Sequence, residues 1–389
     1  MKVKTIKQVK NLTGKKVLLR VDFNVPIKNG KIIDDYKIIA SLPTVRYLLR
    51  YKAKIIIISH LGRPLGKISK YTLKPVSQRL HKILNYKVKF INDCLGFKVS
   101  TEVSKMKPGE IIFLENLRFY NEEIENNTNF AKQLASLADI YINDSFGVDH
   151  RKQASLAAIK KYLPSYAGFL VEAEVNNLNK IIEPKKPLLI ILGGKKASTK
   201  LPILKNLQKK ADKILIGGAL ANNFLKIKKF QIGKSIYDPN CLRYLKKYNK
   251  KKIILPLDVI VNAKRDGSGR VFLRKVNEVR KNEMILDIGP ATQRLYANII
   301  KKANTIIWNG PMGCFEKKHY QHGSLAIARL VGARSSGKVF GLVGGGETIE
   351  VLKMAKMLNY IDWVSTGGGA MLAYLSGQEM PGLAGIIRR

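Results

Sequence analysis

The sequence contains no apolar run that approaches the roughly 18 residues of a membrane-spanning helix. Four consecutive isoleucines at positions 55–58 have only the length of a buried strand. The first ten residues intersperse lysine with apolar side chains, unlike the continuous apolar core of a secretory signal peptide. We therefore expect a chain that neither crosses a membrane nor is exported.

Cysteine and histidine are scarce as well. Three cysteines, Cys94, Cys241 and Cys314, lie far apart without the spacing of metal ligands, which favours a reduced, cytoplasmic compartment. The five histidines form no evident catalytic triad, and neither a G-x-S-x-G nor an H-E-x-x-H motif occurs. Hydrolytic chemistry is therefore disfavoured.

Acidic residues are few: 28 aspartates and glutamates face 70 lysines and arginines, for a formal net charge of +42. Such an excess is typical of proteins that bind nucleic acids or anionic membranes. Here the basic residues are spread along the whole chain, and the richest run, residues 246–252, resembles a solvated helix end and loop. We expect most of this charge to be a property of the surface, without a nucleic acid as specific partner.

The sequence does contain a repeating pattern of a short β-branched run, a loop with glycine or aspartate, and a helical stretch. At 389 residues the chain is long enough for two domains. The pattern predicts an α/β fold of mostly parallel, doubly wound sheets, whose ligands bind beyond the carboxyl ends of the strands. The predicted strands are residues 16–21, 54–58, 110–114, 140–142, 188–192, 213–216, 305–308 and 339–343.

A polar-faced amphipathic pattern at residues 171–182, followed by Pro184 and Pro187, predicts a helix that connects two domains. The first domain would comprise residues 1–170, the connecting segment residues 171–186, and the second domain would begin at residue 187.

Loops of the first half carry basic residues at successive strand ends, namely His60, Arg63, Arg118 and Arg151. Each arginine alone could be a surface ion-pair residue. Because the fold brings these strand ends together, we expect a cluster that binds a small, multiply charged anion such as a phosphate or carboxylate. Asp22 and Asn24, on the same edge, would bind hydroxyl groups.

Loops of the second half are rich in glycine instead. Residues 344–346 follow a strand and open a helix at Glu347 and Thr348, and residues 365–369 repeat the arrangement. These glycines could simply form tight turns, but two such loops, with Gly193, Gly194 and nearby lysines, favour a polyphosphate site. Neither a Walker A motif nor G-x-G-x-x-G is present at these loops. Phosphoryl transfer fits this inventory, because it depends on positioning and charge and needs little covalent help.

Eight motifs together resemble phosphoglycerate kinase, in order and along essentially the full chain. They are RVDFNVP (20–26), SHLGRP (59–64), LENLRF (114–119), NDSFGVDHR (143–151), LGGKKASTK (192–200), WNGPMGCFE (308–316), GGGET (344–348) and STGGGA (365–370). The resemblance implies two Rossmann-like domains joined by a helix, with a hinge-bending cleft between them. Residues 187–376 would bind MgATP or MgADP, residues 1–170 would bind 3-phosphoglycerate or 1,3-bisphosphoglycerate, and residues 377–389 would pack back on the first domain.

The resemblance also implies a glycolytic, monomeric enzyme that transfers a phosphoryl group directly between these substrates, and it assigns residue roles. Catalytic residues would be Lys37, Lys200 and Gly369, with Glu347 at Mg²⁺. Phosphoglycerate would contact Asp22, Phe23, Asn24, Lys37, His60, Leu61, Gly62, Arg63, Arg118 and Arg151. The nucleotide would contact Lys196, Lys200, Gly217, Gly218, Asn309, Glu316, Gly345, Gly346, Glu347 and Thr348.

Three positions depart from the family pattern. Lys37 replaces an arginine, Glu347 replaces an aspartate, and Ala373 replaces a glutamate. These substitutions leave an alternative, a catalytically weakened protein of the same fold with a role in binding nucleic acid.

Overall fold

The computed structural model describes residues 2–248, 251–264, 266 and 268–388. It divides into two compact units: the residues up to Asn176 together with those from Glu379 form the first, and Asn177–Gln378 form the second.

The secondary-structure elements alternate along most of the chain, as the sequence pattern predicts. The strands are β1 (Lys2–Val3), β2 (Lys16–Val21), β3 (Ile27–Lys28), β4 (Lys31–Ile32), β5 (Lys54–Ile58), β6 (Val88–Ile91), β7 (Ile111–Leu114), β8 (Ile140–Asp144), β9 (Ser165–Ala167), β10 (Leu188–Leu192), β11 (Lys213–Ile216), β12 (Ile253–Ile254), β13 (Asp258–Asn262), β14 (Phe272–Lys275), β15 (Met284–Ile288), β16 (Thr305–Asn309), β17 (Phe340–Gly344), β18 (Trp363–Ser365) and β19 (Ile387–Arg388). The α-helices are α1 (Tyr36–Arg50), α2 (Lys74–Leu84), α3 (Phe97–Ser104), α4 (Asn121–Ile124), α5 (Thr128–Ala135), α6 (Phe169–Ile182), α7 (Leu201–Leu207), α8 (Gly218–Ile227), α9 (Pro239–Leu245), α10 (Pro290–Ile300), α11 (His322–Ser335), α12 (Gly346–Met354) and α13 (Gly369–Leu375).

The first unit is built on a parallel sheet of six strands in the order β6-β7-β5-β2-β8-β9. Successive residues of its central strands bury their side chains on opposite faces: Ile55 and Ile57 of β5 belong to one hydrophobic cluster, Ile56 and Ile58 to another. A parallel sheet covered on both faces accounts for uninterrupted β-branched runs.

The second unit contains a parallel sheet of six strands in the order β12-β11-β10-β16-β17-β18. The predicted α/β class with two Rossmann-like parallel sheets is therefore confirmed. Beside it stands an antiparallel sheet in the order β14-β13-β15, which the sequence pattern did not indicate. Of the helices that the structure describes, none has the length and apolar character needed to span a membrane.

The last residues of the chain pack on the first unit. β19 pairs with β1 in antiparallel register. Asn143 donates a hydrogen bond to the Gly382 carbonyl at 3.1 Å, and Lys160 Nζ donates to the Ala384 carbonyl at 2.7 Å. The segment is thus held by backbone pairing and by two side chains of the first unit.

Candidate functional site

The functional residues predicted in the first unit come from one edge of its sheet. Strands β7, β5, β2 and β8 are neighbours, so their carboxyl ends lie side by side. The loops that follow them supply nine of the ten residues predicted to bind phosphoglycerate: Asp22, Phe23, Asn24, His60, Leu61, Gly62, Arg63, Arg118 and Arg151. The tenth, Lys37, lies in the first turn of α1.

Lys37 is paired with the loop after β2. Its Nζ lies 2.6 Å from Oδ2 of Asp22, whose side chain is buried. Burial alone would raise the pKa of Asp22, but the charges of Lys37 and Arg20 lower it overall. Asp22 is therefore an ionised acceptor, and part of the Lys37 charge is neutralised within the protein.

His60 is buried and electrically neutral. Burial, followed by the charges of Arg20 and Arg118, lowers the pKa of His60 well below its usual value. Its Nε2 lies 3.9 Å from Oδ1 of Asp22. The expectation that His60 adds positive charge to the cluster is therefore wrong, because the guanidinium groups around it oppose protonation; the imidazole can only offer a neutral hydrogen bond.

The arginines of the cluster provide the positive charge. Arg118 donates from Nη1 to the Gly62 carbonyl at 2.5 Å, whereas its Nη2 is buried and has no hydrogen-bond partner among the residues described. Burial and the charges of Arg151 and Arg20 lower the pKa of Arg118 to about 10. Burial and Arg63 likewise lower the pKa of Arg151. Arg118 is thus a buried guanidinium with an unpartnered donor and positively charged neighbours, and a bound anion would stabilise it.

A buried amide fixes the loop that carries these residues. The Asn116 side chain accepts hydrogen bonds from the backbone N–H groups of Leu61 and Arg118, and donates to the carbonyls of Leu61 and Tyr71. Asn24 Oδ1 accepts from the Gly62 N–H at 3.0 Å. Leu61 and Gly62 therefore act through their backbone geometry, and Phe23 is buried in the core behind them.

Sequence reasoning missed the residues directly behind His60. Arg20, Glu123 and Ser155 are fully buried and hydrogen-bonded to one another. A sequence signal existed for Arg20, which is a lone charge within the otherwise apolar central run of β2. Glu123 and Ser155 lie in polar stretches, where nothing in the sequence distinguishes them.

In the second unit, a cavity of about 230 Å³ lies at the ends of the strands. Of the predicted nucleotide residues, Gly218, Glu316 and Glu347 line it. Its apolar walls include Leu225, Val259, Met284 and Met312, which sequence reasoning did not identify. A flat apolar group such as a nucleobase fits walls of this kind.

Glycine allows close packing beside this cavity. A Cβ at Gly193 would lie 2.0 Å from the Pro311 carbonyl oxygen, and one at Gly217 would lie 2.5 Å from the Met312 sulfur. Gly218, at a φ of +57°, donates its N–H to the Met312 carbonyl. A side chain at Gly193 or Gly217 would displace the wall of the cavity.

Two helices begin at the remaining glycine loops. Gly345 has a φ of +99° immediately before α12, and Gly346 is the first residue of that helix. Gly369 begins α13 in the same manner, after Gly368 at a φ of +42°. Thr348 is fully buried and accepts a hydrogen bond from the Gly310 N–H at 2.7 Å, so its hydroxyl braces the neighbouring loop.

Lysines lie on both sides of this region. Lys200 Nζ donates a hydrogen bond to Oδ1 of Asn309, and Nδ2 of Asn309 donates to the Gly344 carbonyl at 2.6 Å. Burial lowers the pKa of Lys200 to about 8, although the charge of Glu347 opposes the shift. Lys195 Nζ lies 2.9 Å from Oε1 of Glu316. Lys196 is exposed, and Ala373 is buried in α13.

Comparisons with known proteins agree with this geometry. The chain matches the family model of phosphoglycerate kinase over residues 6–378. It is 46% identical over 388 residues to a phosphoglycerate kinase of Wolbachia pipientis wMel, with 97% of each chain covered. Solved structures of phosphoglycerate kinases from Coxiella burnetii (37% identity, TM-score 0.87) and Pyrococcus horikoshii OT3 (31%, 0.86) are similar over 98% of both chains.

The family that these comparisons match is one of phosphotransferases whose acceptor is a carboxyl group. The chain belongs to the phosphoglycerate kinase family. The reaction is the reversible transfer of a phosphoryl group from 1,3-bisphosphoglycerate to ADP, which gives 3-phosphoglycerate and ATP in glycolysis. These matches do not support the alternative, a weakened protein with a role in nucleic-acid binding.

Proposed function

We propose that the first unit binds phosphoglycerate at the carboxyl edge of its sheet. The observation that carries this proposal is the buried Nη2 of Arg118, a charged donor without a partner among the described residues. Arg63 and Arg151 would supply further charge: burial and the neighbouring charge of Arg63 lower the pKa of Arg151, so the two groups act on the same region. A phosphate would give Nη2 of Arg118 the acceptor that it lacks among the described residues, and it would be attracted by the charges of Arg63 and Arg151.

Asp22, Asn24 and Lys37 would bind the glycerate portion. The ionised Asp22 accepts a hydroxyl proton, and Asn24 is oriented by its bond to Gly62. Lys37, whose ammonium group is paired with Asp22, would contribute positive charge to the site of the transferring group and the carboxylate. Phe23 and Leu61 form the buried wall behind them, and Gly62 turns the chain at a φ of +64°.

The cavity of the second unit would take the nucleotide base, with Gly218 in its lining and Gly217 packed behind Met312 of its wall. Glu316, which forms an ion pair with Lys195, would accept hydrogen bonds from the ribose hydroxyls. The first N–H groups of α12, at Gly346 and Glu347, suit the phosphates, because the amino end of a helix is electropositive. Lys196, Lys200, Asn309, Gly345 and Thr348 would complete the phosphate site.

Magnesium would reach this site with the nucleotide. Among the described residues no cluster of three or more His, Cys, Asp or Glu could hold a metal alone. Glu347 is exposed on the cavity wall. The hydrogen bond to Glu316 chiefly raises the pKa of Lys195, and the charge of Glu347 adds to that rise and opposes the lowering of the pKa of Lys200. One carboxylate plus substrate phosphates is the usual donor set for Mg²⁺, so these residues fit the ion. When bound, Mg²⁺ supplies charge neutralisation at the nucleotide phosphates.

The transfer itself would rely on charge. A carboxylate and a phosphate are both ionised at neutral pH, so neither acceptor needs a general base. Lys37 and Lys200 would neutralise charge on the moving phosphoryl group, and the amino end of α13 at Gly369 would donate backbone N–H groups. We further propose that the protein is cytoplasmic and monomeric; light scattering of the purified protein tests the oligomeric state.

The experiment for the phosphoglycerate site compares two arginine substitutions in a coupled assay. Arg118→Lys keeps the charge but loses one arm of the fork, and we expect the KM for 3-phosphoglycerate to rise about tenfold or more. Arg79→Lys changes a surface arginine, paired with Asp35 at 2.6 Å, and should leave KM unchanged. Equal KM values for the two variants would refute the placement of the phosphate at Arg118.

A further inference from the structure

Behind His60 runs a continuous chain of buried hydrogen bonds. Ser155 donates its hydroxyl to Oε1 of Glu123 at 2.7 Å and its N–H to Oε2 at 2.9 Å. Arg20 donates from Nε to Oγ of Ser155 at 2.9 Å and from Nη1 to the Val21 carbonyl. Arg20 Nη2 then lies 3.1 Å from Nδ1 of His60. All four side chains are at most 1% exposed, so water does not compete for these bonds.

This chain decides which nitrogen of the imidazole carries the proton. A guanidinium group has five N–H donors, no acceptor, and does not lose its proton in proteins. A ring nitrogen within hydrogen-bond distance of it must therefore accept. Nδ1 of His60 is then unprotonated, and the hydrogen of the neutral ring is on Nε2, the atom that lies 3.9 Å from Asp22 Oδ1.

We propose that Arg20, held by Ser155 and Glu123, is a positioning residue that fixes His60 as the Nε2–H tautomer and presents this N–H to an oxygen of the glycerate. The substrate atom would be a hydroxyl or carboxylate oxygen beside Asp22. Arg20 itself does not touch substrate, because its guanidinium is fully buried and hydrogen-bonded on three of its nitrogens.

The surroundings make the alternative states of His60 unfavourable. The charged groups that act on the ring are Arg20, Lys37, Arg118 and Arg151, with Asp22 as the acidic neighbour. A second proton on the imidazole would add one more positive charge to this set. The other neutral tautomer would place an N–H of His60 against an N–H of Arg20. It would lose the hydrogen bond from Arg20 to Nδ1 and the proposed hydrogen bond from Nε2 to the substrate oxygen.

Glu123 has its own part in the arrangement. Burial raises the pKa of this carboxyl, and the charge of Arg20 opposes the rise. A buried guanidinium without a counter-charge is strongly unfavourable. Glu123 balances Arg20 through Ser155, at a distance from the substrate, and so leaves the substrate edge of the cluster positive.

The first measurement uses the ligand-free, full-length protein with ¹⁵N-labelled histidine. Imidazole ¹⁵N chemical shifts report the tautomer, and the spectrum of His60→Gln assigns the signal among the five histidines. We expect a neutral, Nε2-protonated His60 between pH 6 and pH 8. A protonated imidazolium, or a proton on Nδ1, overturns the inference without any reference to substrate.

The second measurement separates positioning from packing. Ser155→Ala frees Arg20 Nε, and Arg20→Lys keeps the charge but loses the fork; each should give a mixed tautomer. The KM for 3-phosphoglycerate should rise about fivefold to tenfold with kcat within about twofold, as expected for one lost hydrogen bond. The control is Tyr141→Phe, which removes a buried hydrogen bond of 2.7 Å to the Ser155 carbonyl and leaves the chain to His60 intact.

The kinetic arm rests on the proposed binding of phosphoglycerate in the first unit, whereas the tautomer arm does not. A fixed Nε2–H tautomer with unchanged KM in both variants would refute the substrate contact and keep the tautomer lock. If Ser155→Ala and Arg20→Lys both fold and both keep the Nε2–H tautomer, the role of Arg20 is refuted. It is also refuted if Tyr141→Phe disturbs the tautomer as much as these two substitutions do. If neither variant folds, as judged by thermal unfolding, the tautomer of the unmodified protein still decides the inference.

Discussion

The ammonium nitrogen of Lys37 lies 2.6 Å from Oδ2 of Asp22, so one ion pair joins the first turn of α1 to the loop after β2. The position belongs to the proposed substrate site, where the resemblance to the family implies an arginine. A lysine directs its charge to a single point, and here that point is Asp22. An arginine could keep the contact with Asp22 and still offer N–H groups to a phosphoryl oxygen.

We therefore expect Lys37→Arg to turn over about tenfold to a hundredfold faster than the unmodified protein, which corresponds to roughly 1–3 kcal/mol of transition-state stabilisation. The measurement is kcat with both substrates saturating. Lys31→Arg, in the exposed hairpin strand β4, is the control and should leave kcat unchanged. An equal or slower Lys37→Arg enzyme would show that the guanidinium fork adds nothing at this position.

Glu347 places its carboxylate one methylene further from the backbone than the aspartate of the family pattern, roughly 1.5 Å. We expect Glu347→Asp to lower the Mg²⁺ concentration for half-maximal activity severalfold, because a shorter arm suits the rigid octahedral geometry of Mg²⁺. Glu350→Asp, an exposed position on the same helix, serves as the control. No change in Mg²⁺ dependence for Glu347→Asp would remove this residue from the metal site.

The pKa of about 8 for Lys200 predicts an alkaline limit to nucleotide binding. The ordinary pKa of a lysine is 10.5, whereas that of Lys200 is about 8. Lys200 is therefore charged below about pH 8 and loses its charge as the pH rises through about 8. We expect kcat/KM for ATP to fall above about pH 8, since this ratio reports the free enzyme. Lys200→Arg should move the fall to higher pH, whereas Lys205→Arg on α7 should not; an unmoved fall with Lys200→Arg would assign it to another group.

The buried carboxyl of Asp144 should make stability fall as the pH rises, which is the opposite of what a carboxylate in an ion pair does. Burial raises the pKa of this carboxyl from 3.8 to about 7, although Thr44 and the Leu170 N–H at 2.9 Å oppose the rise. Above pH 4 the unfolded chain releases this proton and the folded chain keeps it, so the contribution of Asp144 to stability falls until about pH 7. The slope reaches at most about 1.4 kcal/mol per pH unit.

The test compares the melting temperature of Asp144→Asn with that of the unmodified protein from pH 5 to pH 8. Asparagine keeps the acceptor for Leu170 and has no charge, so its advantage should grow by several degrees over this range. Asp93, whose pKa is lowered although burial opposes the shift, is the matched position in the same unit. Asp93→Asn should show a constant difference from pH 5 to pH 8, and parallel curves for both variants would contradict the assignment.

Asn116 and Asn127 give a matched pair for the same substitution. Asn116→Asp removes the donors to the Leu61 and Tyr71 carbonyls and places a carboxylate against them. We expect a loss of about 2–4 kcal/mol in stability and a raised KM for 3-phosphoglycerate. Asn127 uses only its oxygen, which accepts from the Asn129 and Phe130 N–H groups at the start of α5, so Asn127→Asp should be nearly neutral. Equal effects would mean that the amide donors of Asn116 are dispensable.

The parallel sheets could be predicted because both faces of each central strand are covered, which requires runs such as 55–58 and 188–192 to be apolar throughout. The antiparallel sheet of the second unit could not be predicted from the sequence. β14, with the sequence Phe-Leu-Arg-Lys, is partly exposed and ends in charged residues, so it resembles a surface loop. Its pairing with β13 is visible only in three dimensions.

The candidate site was predictable to a similar extent. Strand-end arginines and glycines can be identified because the fold determines where the carboxyl ends of strands meet. The charge of His60 could not be inferred, since it depends on burial in the folded protein and on Arg20 and Arg118, which lie 40 and 58 positions away in the chain. Ser155, 135 positions from Arg20, carries no local sign of their hydrogen bond.

The pairing of β1 with β19 has a consequence for the time at which the protein matures during synthesis. The first unit includes residues from Glu379 onwards, which the ribosome makes after the whole of the second unit. The nascent first unit therefore carries an unpaired β1 and the unfilled contacts of Asn143 and Lys160 for most of translation. The half of the protein that is made first is thus the half that is completed last.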